Sequence, residues 1–80
     1  MKQKIKPVHL NFIRVRHMLN ITQTEYASRL SISAPLVGAI ESGRCQPRIE
    51  VISKSLELGN IPKEDLHDFV FDFNYVIPNK

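Results

Sequence analysis

Apolar positions recur along this chain in short groups at spacings of three and four, each group closed by a polar residue, a glycine or a proline. Residues 9 to 19, HLNFIRVRHML, place Leu10, Ile13, Met18 and Leu19, with Phe12 nearby, near one helical stripe. Arg14, Arg16 and His17 fall largely off it, and Asn20 suits a left-handed C-terminal stop. In TQTE, Thr22 with Glu25 three residues on forms a capping box, so the spacing predicts a second helix from Gln23. That helix buries Tyr26, Ala27 and Leu30 and stops at Ser31. Ser33 caps a third helix, in which Pro35 is tolerated because first-turn amides have no intrahelical acceptor to lose. Val37 and Ile40 point inward and Gly43 ends it. RCQP is a loop, Pro47 marks the start of a fourth helix with Ile49, Ile52 and Leu56 inward, and Gly59-Asn60 closes it. Pro62 followed by Lys-Glu-Asp opens a fifth, its acids suited to the positive end of the helix dipole.

The end of the chain, FVFDFNYVIPNK, carries two periods at once. Leu66, Phe69, Val70 and Phe73 fit a helix, whereas Phe71, Phe73, Tyr75 and Ile77 alternate with Val70, Asp72, Asn74 and Val76 as a strand does. Aromatic and β-branched enrichment, with Pro78 as a stop, favours an extended segment. The expectation is therefore all-α: a compact bundle of five short helices with a short extended C-terminal segment. A basic arm over 1–8, a helical domain over 9–70 and an extension over 71–80 divide the chain, with no internal repeat and no low-complexity tract.

Composition narrows the function classes. With 42% hydrophobic and 24% charged residues, the 80 residues make one small folded domain whose core is modest enough to lean on a second subunit. The apolar residues never run for the roughly 18 needed to span a bilayer. The basic start, MKQKIKPVHLNF, has no apolar run of the secretory kind, so no signal peptide is expected. One cysteine, Cys45, leaves no intramolecular disulfide and fits a reducing cytoplasm. Net charge is +3, but it is unevenly spread. Residues 1–48 hold eight Lys and Arg against Glu25 and Glu41, and residues 49–80 hold three Lys against six acids. A basic half and an acidic half suit a chain that turns the first toward a polyanion and the second away from it.

Helix, tight turn and helix across residues 22–42 form a helix-turn-helix. With Arg16, TQTEYASRL over 22–30, Ile32 and Ser33, Val37, IESG over 40–43 and Pro47, the chain here resembles the Xre/Cro/phage-repressor family. The match covers about residues 10–48, and Gln23, Ala27, Leu30, Val37, Ile40, Glu41 and Gly43 all fall at their expected spacings together. The resemblance implies a repressor-like DNA-binding fold and a structural ion pair between Arg16 and Glu41. It implies phosphate contacts from Thr22 and Gln23 at the start of the second helix. Arg44, Gln46 and Arg48 lie on the loop and helix start that in such proteins lean on the DNA backbone, with Arg29 and Lys2, Lys4 and Lys6 as weaker candidates. The base-facing positions become Ser33, Ala34, Pro35, Leu36, Gly38 and Ala39. Here the chain departs from the family, which often carries Gln, Asn, Arg or Ser there. Ser33 alone has a hydrogen-bonding side chain, and it serves as the cap. Gly38 costs a helix roughly 1 kcal/mol relative to Ala, so something should benefit from the missing side chain. Ser31, where a glycine is frequent, points to a slightly altered turn.

No catalytic chemistry emerges. His9, His17 and His67 read as members of different elements and, with one Cys, give no metal spacing. No nucleophile elbow, P-loop or phosphate-cradling glycine run is present. Cys45 follows Arg44, a cation that favours a thiolate, but an incidental exposed thiol is the simpler reading. The expected function is a cytoplasmic, non-enzymatic transcriptional regulator that binds double-stranded DNA as a homodimer through residues 22–48. It would use no cofactor, metal, membrane or small-molecule substrate. Leu66, Phe69, Val70, Phe71, Phe73, Tyr75 and Ile77 supply the expected dimer interface. The alternative is a protein-interaction module, antitoxin-like or anti-repressor-like, that docks a partner on the apolar face of residues 33–39.

Overall fold

Pro7 sets where the chain becomes regular. Its missing amide and fixed φ suit the first position of a helix, and α1 runs from there over Pro7–Leu19. The computed structural model describes residues 5–78, so Lys2, Lys4 and the rest of residues 1–4 lie outside it, as do Asn79 and Lys80. The arm expected over 1–8 is therefore too long, because Pro7 and Val8 form the first turn of α1 and are buried. Four more helices follow: α2 Gln23–Leu30, α3 Ala34–Glu41, α4 Ile49–Leu58 and α5 Leu66–Phe71, the last entered through a 3-10 turn at Lys63–Asp65. The described residues contain no strand, and no helix among them is long and apolar enough to cross a membrane. α1 packs against α3, α4 and α5, and α2 packs against α3 and α4.

Two inner faces differ from those the apolar spacing suggested. On α1 the buried side is Val8, His9, Asn11, Phe12 and Val15; Leu10 and Ile13 are half-exposed and Met18 is exposed. The true stripe is Val8, Phe12 and Val15, at intervals of four and three. It carries two polar residues because each caps a neighbouring helix. His9 Nδ1 donates to the carbonyl of Ile40 at 2.8 Å, and Asn11 Nδ2 donates to the carbonyl of Phe69 at 2.8 Å. Both acceptors lie in the last turn of a helix, where carbonyls have no intrahelical donor. His9 and His17 also share α1, so only His67 stands in another element. On α4 the buried residues are Val51, Ile52, Ser55 and Leu56, while Ile49 is exposed. At 100° per residue Ile49 lies about 90° from the centre of that face.

The C-terminal segment is not extended as a strand. α5 ends at Phe71, and the chain turns at Asp72, whose Oδ1 accepts from the Asn74 amide at 2.9 Å and whose carbonyl accepts from the Tyr75 amide. The turn sends Tyr75 back into the core. Its ring meets Phe69 edge-on at 6.3 Å, and its hydroxyl donates to Asp65 Oδ2 at 2.8 Å. Burial and the carboxylate partner together push the Tyr75 phenol well above its ordinary pKa. At the centre of the bundle Tyr26 does the same work for α2. It is fully buried against Phe12, donates to the Phe12 carbonyl at 3.2 Å and shares a hydrogen bond with Ser55 Oγ at 3.1 Å.

Candidate functional site

The site is assembled from α2, α3 and the loop after α3. Thr22 Oγ1 accepts from the Glu25 amide at 3.1 Å and so fixes the start of α2. The other half of the expected capping box is replaced, since Glu25 turns to Arg29 four residues on, at 2.7 Å. The helix ends at Ser31, which takes the left-handed conformation (φ 60°) usually given to glycine and lets the Ile32 amide reach the Ala27 carbonyl at 3.0 Å. Ser33 then caps α3, accepting from the Leu36 amide at 3.2 Å. Ala27, Leu30, Val37 and Ile40 are all buried between the helices, so α3 is held by its inner face with its outer face free.

That outer face carries Pro35, Gly38 and Ala39, joined by Ser42 just beyond the helix at the next turn of the same stripe. Ala34 and Leu36, expected to face outward with them, flank the stripe instead and pack partly on the core. Leu36 lines a hollow of about 390 Å³ with Ile32, Ile40, Pro47 and Val51, with Gln46 and Arg48 at its edge. A Cβ built on Gly38 meets nothing within 4 Å among the described residues, so none of them requires the glycine. Ser42 was not anticipated, although the spacing from Pro35 was there to find it. Its hydroxyl donates to the Ala39 carbonyl at 3.1 Å and accepts from Arg44 Nε at 3.0 Å, which holds the arginine at the end of the stripe.

The loop itself is fixed by backbone. Gly43 turns with φ 84°, and the amides of Arg44 and Cys45 both reach the Ala39 carbonyl, at 2.9 and 3.2 Å. Arg44, Gln46 and Arg48 are exposed, and neither arginine has a carboxylate within 4 Å among the described residues. Cys45 is half-buried on the wall of the hollow.

Glu41 draws three helices together. Arg16 binds it in a fork, Nε to Oε2 at 2.7 Å and Nη2 to Oε1 at 3.1 Å, and Arg16 Nη1 also donates to the Ile21 carbonyl at 3.1 Å. The Glu41 side chain is 8% exposed and the Arg16 side chain 17%. Gln23 completes the set, its Nε2 donating to Glu41 Oε1 at 2.8 Å. Of the residues expected at the start of α2, Thr22 thus engages its Oγ1 and Gln23 its Nε2 within the chain. That helix start also leaves backbone free, since the first-turn amides of Gln23 and Thr24 have no acceptor in the helix.

Two residues expected at a dimer interface lie elsewhere. Phe69 is fully buried in this chain's own core, and Tyr75 is buried beside it, so neither is open to a second subunit. Leu66, Val70 and Ile77 are half-buried against the same core, while Phe71 and Phe73 face outward. The chain matches no protein-family model, no curated protein and no solved structure.

Proposed function

We propose that this chain is a DNA-binding transcriptional regulator of the Xre/Cro helix-turn-helix type, working in the cytoplasm as a homodimer on double-stranded DNA. The reading rests on one observation above all. Two arginines without a carboxylate partner among the described residues, Arg44 and Arg48, stand beside a helix whose outer stripe has no bulky side chain. A groove-lying helix with cations at its end suits a duplex, the stripe approaching the bases and the arginines meeting phosphates. The free first-turn amides of α2 supply a further phosphate contact. With Ser33 Oγ held by the Leu36 amide and Ser42 Oγ bonded to the Ala39 carbonyl, sequence preference comes mainly from contacts of Pro35 and Ala39 with thymine methyls and from DNA shape.

The same stripe supports a second reading. Its lack of free hydrogen-bonding groups suits docking to an apolar protein surface as in an antitoxin or anti-repressor, with the arginines at the rim.

Gly38→Ala separates the two in one variant. With open space around the added methyl, the variant should be more stable by up to about 1 kcal/mol, seen as a higher melting temperature. Its affinity for duplex DNA should fall, because the methyl stands where the groove comes closest. Higher stability with unchanged duplex binding would remove this face of α3 from the DNA interface and favour the protein partner.

A further inference from the structure

Between α3, the loop after it and α4 the chain keeps a hollow of about 390 Å³ that its own side chains do not fill. Ile40, Pro47 and Val51, all buried, form its floor, and the half-buried Ile32 and Leu36 line it beside them. Close-packed interiors leave few spaces of that size. Concave sites for small ligands begin at about 300 Å³ and share this make-up, an apolar body with a few polar groups to fix orientation. Here those groups are Gln46 and Arg48, at one edge. Arg48 stands at the N-cap of α4 with no side-chain bond to the helix amides, and no carboxylate lies within 4 Å of it among the described residues. None of the described residues lining the hollow is acidic.

We infer that the hollow binds a small carboxylic acid, with its apolar body on Leu36, Ile40 and Val51 and its carboxylate on Arg48. The charge at the edge selects this class. One guanidinium answers one negative charge and offers a carboxylate two parallel N–H donors, to which the Gln46 amide adds a third. A phosphate monoester, at about −1.5 to −2, brings more charge than that edge neutralises. An amine finds no acid there, and a neutral apolar molecule leaves the arginine unused. The position of the site also gives it a use. Arg48 is one of the two arginines assigned to DNA phosphates, and Leu36 and Ile40 belong to α3, so ligand and duplex compete for the same guanidinium. That use rests on the DNA-binding reading, whereas the binding itself does not. With both Arg48 side chains of a dimer occupied, the log–log salt slope of duplex affinity should flatten by about 1.8. By linkage, duplex lowers the affinity for the acid by the same factor that the acid lowers the affinity for duplex.

Cys45, the one cysteine of the chain, is half-buried on the wall of the hollow and so reports on its occupancy. The test is the rate at which iodoacetamide, an uncharged reagent, alkylates Cys45 of the full chain in octanoate, octanol or octylamine. A ligand of this size supports a roughly millimolar dissociation constant, so octanoate at about 3 mM should slow alkylation about fourfold. Octanol should slow it about twofold at most and octylamine less, with helical content unchanged throughout. Arg48→Ala, at an exposed side chain, should abolish the advantage of octanoate over octanol. A rate that octanoate leaves unmoved, equal slowing by octanol, or an advantage that survives Arg48→Ala would overturn the inference. Duplex affinity measured on the same samples keeps the two readings apart. Protection of Cys45 in a chain that ignores duplex DNA upholds the site and sinks the DNA-binding reading, whereas salt-sensitive duplex binding without protection does the reverse. Protection that leaves duplex affinity unchanged would overturn the competition for Arg48.

Discussion

Glu41→Ala is expected to cost about 3–5 kcal/mol of folding stability, the usual penalty for stranding one member of a buried ion pair. The carboxylate accepts from Arg16 Nε and Nη2 and from Gln23 Nε2, and it joins the end of α1, the start of α2 and the end of α3. Without it an arginine side chain only 17% exposed keeps the Ile21 carbonyl at 3.1 Å and a long contact to His17 Nε2 at 3.5 Å. A domain of 80 residues has about 4–12 kcal/mol in total, so the variant should be close to unfolding. Arg16→Met combined with Glu41→Leu should recover much of the loss, since apolar groups of similar volume can replace such a pair. Recovery stays incomplete, because Gln23 and the Ile21 carbonyl each lose a partner. Urea denaturation reads all three chains, and a midpoint insensitive to Glu41→Ala would refute the account of the pair.

Truncation after Val70 is the second large effect, and it should unfold the domain rather than release a folded monomer. The lost segment includes Tyr75, which closes over Phe69, bonds Asp65 through its hydroxyl and offers its carbonyl to Arg14. Removing a large aromatic from a core typically costs about 3–5 kcal/mol, and Ile77 leaves with it. Tyr75→Phe isolates the hydrogen bond and should cost only about 1 kcal/mol. Circular dichroism during heating measures both. A truncated chain that melts as the full chain does would show that the segment is an appendage after all.

What could be read from the sequence was local. Thr22 and Ser33 accept from amides three residues on, Asn20 takes the left-handed turn expected of it, Gly43 follows the end of α3, and the inner residues of α2 and α3 are those the spacing named. Each is decided within one turn of chain, where residue chemistry acts directly. The faces of α1 were misread because His9 and Asn11 look like surface residues until α3 and α5 bring the Ile40 and Phe69 carbonyls to them, across 31 and 58 positions of sequence. No local pattern carries that information. The tail was misread for a related reason. Alternation would put Phe73 and Tyr75 on one face, but a turn anchored on the Asp72 side chain leaves Phe73 out and sends Tyr75 in, and a strand would have needed a neighbour to pair with. In the candidate site Arg44, Gln46 and Arg48 are exposed, while Gln23 starts α2 with its amide nitrogen turned to Glu41, a contact between helices that no local spacing carries.

The most direct test of the DNA-binding claim is the salt dependence of duplex affinity, for the wild type and for Arg44→Ala with Arg48→Ala. Each phosphate neutralised contributes about −0.9 to the log–log slope, so the four arginines of a dimer should supply about −3.6 of the wild-type value. The double variant should bind more weakly on every sequence and lose about that much slope. A wild type that fails to bind duplex DNA, or a double variant with the same affinity and slope as its parent, would contradict the claim.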